Sequence, residues 1–160
     1  MSKRYIKYQE GQWFVVPLRN GNYTLGIIVR GSFKTQGGLG YFLEPANKIP
    51  PNQYDTMDKK AEGAILITWF CDLGIITDEW QLIPNGKPFV KSEWPVPKFQ
   101  RIDALDTRIG YLVEYEQENP KFSEPIRETI CSSDDIHDLP KEKLSGSGAI
   151  EIILTKLLSK

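Results

Sequence analysis

The hydrophobic pattern is clearest between Gly11 and Arg30, where two apolar, β-branched and aromatic runs, Trp13-Phe14-Val15-Val16-Pro17-Leu18 and Tyr23-Thr24-Leu25-Gly26-Ile27-Ile28-Val29, flank the step Asn20-Gly21. Both residues of that step tolerate the positive φ of a type I′ turn, so the stretch predicts a β-hairpin. Gly26 inside a strand pattern predicts a bulge or a close backbone approach. Gly31 to Leu39 reads as a polar, glycine-rich connection, and Gly40-Tyr41-Phe42-Leu43-Glu44 as a third strand stopped by Pro45. One or two helical turns are expected between Gln53 and Glu62. The run Ala64-Ile65-Leu66-Ile67-Thr68-Trp69-Phe70-Cys71 is apolar on both faces, which predicts a central strand.

Further on, Trp80-Gln81-Leu82-Ile83 is a short element, and prolines on both sides of Asn85-Gly86 predict an open turn. Pro95 and Pro97 predict an extended surface course from Ser92 to Phe99. Strand character returns at 99–102 and 109–115, where Tyr111, Val113 and Tyr115 share a face, and again at 126–131. Ile150, Ile153, Leu154, Leu157 and Leu158 recur at helical spacing, with Ser147 or Gly148 as cap, Glu151 early, and Lys156 and Lys160 late. Leaving these five aliphatic side chains wet would forfeit roughly 1.5–3 kcal/mol each, so the helix is expected to dock. The elements predict a mainly β, α+β fold: an antiparallel, strongly bent sheet or small SH3-like barrel with a C-terminal amphipathic helix. No repeat or sharp composition shift divides the chain, so residues 1–160 read as a single domain.

Charge adds an asymmetry. The net charge is −1, which gives no whole-molecule field to attract nucleic acid or anionic lipid. Residues 1–30 nevertheless set five basic residues against Glu10, net +4, while residues 114–142 set nine acidic residues against Lys121, Arg127 and Lys141, net −6. An acidic run is usually a solvated face, yet this one also has the character needed to steer a basic partner. Glu116, Glu118, Asp134, Asp135 and Asp138 are the candidate contributors. Lys3, Arg4 and Lys7 beside Tyr5, Tyr8 and Trp13 suggest the alternative of a small β-barrel binding nucleic acid or peptide. An edge strand with protective lysines has the same composition, and the acidic balance makes nucleic acid the weaker reading.

Chemistry is sparse. His137 is the only histidine, so two-histidine zinc motifs are excluded, and a nucleophile–histidine site would have to use it within Asp134-Asp135-Ile136-His137-Asp138, which reads as a polar surface loop. Cys71 and Cys131 fit no metal or redox spacing and read most simply as two free thiols in a reducing compartment. Gly37-Gly38-Leu39-Gly40 lacks the lysine and hydroxyl of a phosphate loop and reads as an inter-strand loop. No apolar run has signal-peptide or membrane-spanning length, so a cytoplasmic protein without membrane, metal or cofactor is expected.

The spacing Gly11-x-x-Phe14-x-Val16-Pro17-Leu18-x-Asn20-Gly21-x-Tyr23-x-x-Gly26-x-Ile28 resembles the opening of the immunity protein 26 family. In that family an acidic residue commonly follows the first glycine, where this chain has Gln12. The resemblance implies a bacterial immunity protein of a polymorphic toxin system, which blocks a cognate toxin domain by stoichiometric binding, without catalysis or cofactor. A basic nuclease is the toxin type that the acidic segment would suit. The matching positions are turn and core residues, so they speak for the scaffold rather than the contact surface.

Overall fold

The fold follows from strands that bury both faces. In a computed structural model, which describes residues 6–159, β1 (Trp13–Pro17), β2 (Tyr23–Ser32), β3 (Gly37–Asn47) and β4 (Ala64–Cys71) form an antiparallel meander. A single helical turn, α1 (Leu73–Ile76), leads to β5 (Leu82–Ile83), which pairs with the outer edge of β1. Then β6 (Phe99–Ile102), β7 (Ile109–Glu114) and β8 (Arg127–Ser132) form a second, three-stranded antiparallel sheet. The chain closes with β9 (Leu144–Ser145), parallel to β4, and helix α2 (Ser147–Leu158). The large sheet has the order β5-β1-β2-β3-β4-β9 and is therefore mixed.

Alternation along the meander explains the layers. Trp13, Leu25, Ile27, Leu39, Tyr41, Leu43 and Trp69 face one core, roofed by Trp94 and Val96 and by Phe99, Val113 and Tyr115 of the small sheet. Phe14, Val16, Ile28, Phe42 and Phe70 face the other core, covered by Tyr8, Ile75, Trp80 and, from α2, Ile150 and Leu154. The mainly β, α+β class holds, and of the two forms expected the open sheet is the one found: apolar on both faces, it packs between two layers and does not close into a barrel. Trp80 stacks on Phe14 with centroids 5.4 Å apart, while Trp94 meets Trp13 edge-on at 5.7 Å. Gly26 lies opposite Phe14, and a Cβ there would stand 2.4 Å from the ring. The expected close approach is thus made by an aromatic ring.

Several expectations are corrected. The first turn runs over Leu18–Asn22, and only Gly21 takes a positive φ, +86°. Asn20 accepts from the Asn22 amide through its side chain at 3.0 Å, so it acts as an Asx turn and not as half of a type I′ pair. The glycine-rich run 37–40 is not a loop but the start of β3, aligned with both β2 and β4. Nor does Pro45 stop β3. Pairing with β4 has already ended at Leu43↔Ala64, so the missing proline donor costs no ladder bond there. β4 is not central: β9 covers only Trp69 and Phe70, and Ala64–Ile67 are half-buried.

The segment from Ser92 to Phe99 departs furthest from its surface assignment. Pro95 and Pro97 do keep it extended, but Trp94, Val96 and Phe99 are buried, and the Tyr41 hydroxyl donates to the Pro95 carbonyl. At the other end of the chain, the cap of α2 is Gly146, without a side-chain hydrogen bond, rather than Ser147 or Gly148. Ile150 and Leu154 are buried, Leu158 packs beside them, and Leu157 stays 40% exposed. Glu151 accepts from Trp80 Nε1 at 2.8 Å and from Arg19 Nε at 3.1 Å, fastening α2 to the second core and to the first turn. Lys160 lies outside the described residues.

Candidate interaction surface

The antiparallel pairing of β7 with β8 decides where the acidic candidates stand. Because Glu114 pairs with Arg127 and Ile109 with Ser132, the 115–126 connection leaves one end of the small sheet and residues 133–140 leave the other. Glu116 and Glu118 therefore sit at the first end, and Asp134, Asp135 and Asp138 at the second. A six-residue strand, roughly 20 Å, separates them. All five are exposed, but the fold does not gather them into one patch.

Much of the remaining negative charge is consumed internally. Arg101 bridges Glu128 at 3.0 Å and Glu142 at 2.8 Å while lying over the Tyr111 ring, and the Tyr115 hydroxyl donates to Glu142 at 2.6 Å. The hydrogen bond from Arg101 holds the Glu128 carboxyl below its ordinary range, and the same bond raises Arg101. Glu114 lies between Lys98 and Arg127. Among the described residues, Glu116, Asp134, Asp135 and Asp138 make no ion pair, so their field reaches solvent. Glu118 meets Lys91 at 3.3 Å, and Lys91 also meets Glu10 at 3.0 Å.

Of the aromatic residues that the basic N-terminal segment offered for stacking, the two described ones, Tyr8 and Trp13, are buried. Lys3, Arg4 and Tyr5 lie outside the described residues. Tyr8 and Trp13 are each 1% exposed: Tyr8 donates to Asp72 at 2.6 Å, and Trp13 Nε1 donates to the Lys87 carbonyl at 3.1 Å. Neither ring has a face for a base. Arg19 pairs with Glu151, Lys7 rests over Phe33, and Arg30 is buried.

No hydrogen bond joins the candidates for chemistry to one another among the described residues. His137 is exposed, and its Nδ1 lies 2.8 Å from the Asp134 carbonyl of its own turn. Cys71 and Cys131 are both unbridged. Among the described residues no three His, Cys, Asp or Glu side chains gather as a metal-binding set, and no helix is long and apolar enough to cross a membrane.

One feature escaped the sequence pattern. Strict alternation would send Arg30 to the face of Ile28, but β2 slips register between Ile28↔Gly40 and Arg30↔Leu39. This bulge turns Arg30 toward the face of Leu39, where it floors a cleft of about 560 Å³ with Lys91, Ser92, Pro95, Gln117 and Glu118. Only the run of apolar residues that ends in a charge at Val29-Arg30 hints at it.

Compared with known proteins, residues 9–111 match the family model described as Immunity protein 26. The chain belongs to the immunity protein 26 family. No curated protein and no solved structure matches it. The span matched to immunity protein 26 runs from Gln9 through β1–β6 into β7 and holds all four tryptophans, Trp13, Trp69, Trp80 and Trp94, with Arg30 and Lys91. All five acidic candidates lie beyond it.

Proposed function

We propose that this protein is the immunity half of a bacterial polymorphic toxin pair: it acts in the cytoplasm, binds its cognate toxin domain stoichiometrically and blocks it without turnover. Membership of the immunity protein 26 family over residues 9–111 carries the reading. The exposed, unpaired acids at both ends of the small sheet suit a basic toxin, such as a nuclease, whose capture they would accelerate. The chain is proposed to act as one domain, since the first core draws side chains from both sheets.

The test is coexpression with the toxin domain encoded beside this gene. Growth rescue and recovery of an equimolar complex are the expected results. Persistent killing despite soluble immunity protein, or rescue with no physical complex, would defeat the proposal.

A further inference from the structure

Arg30 is an expensive residue to bury. It is 3% exposed, and burial pulls its guanidinium below its ordinary range against the opposing pull of Glu10 and Glu118. An arginine taken out of water normally has a carboxylate in contact, because the desolvation of a lone charge is otherwise uncompensated. Here no carboxylate among the described residues lies within ion-pair distance. Nε donates to the Gln117 carbonyl at 2.6 Å and one terminal nitrogen donates to the Val29 carbonyl at 2.5 Å. The other guanidinium N–H groups find no protein acceptor among the described residues and open onto solvent in the cleft described above, which the residue lines.

The walls are fixed on one side and movable on the other. Gln117 clamps the Val96 main chain reciprocally, its Oε1 accepting and its Nε2 donating at 2.9 Å each. That clamp holds the loop against Arg30. Beside it, Lys91 is shared between the Glu10 and Glu118 carboxylates and also donates to the Glu118 carbonyl at 2.8 Å, while the Glu118 side chain is 79% exposed. An incoming carboxylate can displace Glu118 into water without stranding a buried acid. The guanidinium then gains the bidentate partner that it lacks.

We propose that this cleft is a carboxylate socket, which receives an aspartate or glutamate side chain of the toxin on the unused N–H groups of Arg30 and on Lys91. The identity of the carboxylate's owner rests on the toxin-binding reading above; the socket itself does not. Glu118 becomes the resident placeholder, so its removal should improve binding.

The test follows the Arg30 Nε–H resonance of the full chain during titration with N-acetylglutamate amide and with its glutamine isostere at matched ionic strength. The expected result is a saturable shift with the first and none with the second. Glu118→Gln should tighten binding, and Lys91→Met should weaken it about tenfold. Glu118 is exposed and Lys91 half-buried at the cleft edge, so Glu118→Gln above all tests the socket even if replacement of Arg30 unfolds the protein. An unmoved resonance, or a shift equal for both probes, overturns the socket whatever the toxin does. If the shift occurs and wild-type protein captures the toxin, but Lys91→Met leaves toxin dissociation unchanged, the socket takes free carboxylates and its assignment to the toxin falls. If the shift occurs and the toxin is never bound, the socket stands and the immunity reading fails.

Discussion

At the scale of single residues, burial sets the chemistry of three tyrosines. Tyr8, Tyr41 and Tyr115 are almost wholly enclosed, and burial is the main cause that raises each hydroxyl, Tyr41 up to about 12. Asp72 beside Tyr8 and Glu142 beside Tyr115 add to the effect, since each carboxylate accepts the hydroxyl proton. The fold therefore holds the protonated form more tightly than the unfolded chain does. Stability from this source is complete below the ordinary tyrosine value of about 10 and drains away as pH climbs beyond it. The urea midpoint should stay level to about pH 10 and then fall, with a shallower fall in Tyr8→Phe. Ionisation of all three tyrosines in the folded protein near pH 10 would contradict this account. None of it was legible in the sequence, where Tyr8 looked like part of an exposed basic strand.

At the scale of elements, helix α2 separates pattern from packing. Five aliphatic residues share the expected spacing, but docking completely buries only Ile150 and Leu154, because the helix lies over the second core between Trp80 and β4. Leu154→Ala should cost about 2–5 kcal/mol in urea unfolding, while Leu157→Ala should cost less than about 1 kcal/mol. Equal losses at both positions would mean that the helix docks through a wider face. Strands β1, β2, β4, β6, β7 and β8 were readable because apolar runs, period-two alternation and turn residues are local signals. The bulge that re-aims Arg30 and the two-residue β9 were not, since each depends on a partner strand distant in sequence. Prolines misled at Ser92–Phe99: they predicted an extended chain correctly, but extension does not decide between surface and core.

For the whole molecule, the separation of acids matters more than their number. The sequence correctly located the negative segment, yet the antiparallel turn-back of β8 sends its two halves to opposite ends of the small sheet. A rigid toxin domain that approaches one end senses the other only weakly at physiological salt, where screening acts over about 8 Å. Replacing Asp134, Asp135 and Asp138 together with Asn should slow association with a basic toxin at low salt if the toxin docks at the Asp134 end, whereas a toxin seated on the Arg30 socket, beside Glu118, should be slowed by Glu116→Gln instead. Stopped-flow measurements across a salt series distinguish the two ends. Equal rates for both variants and wild type would remove charge steering from the mechanism.

The stretch that leads into α2 touches both sheets in succession. The Gln100 amide donates to the Pro140 carbonyl, the Glu142 amide returns a bond to Gln100, and Leu144 and Ser145 then pair with Trp69 and Phe70. During translation this stretch leaves the ribosome after every other strand it joins. Side-chain packing in the first core can already bring the two sheets together, but the main-chain bonds that stitch them form only after this late stretch emerges.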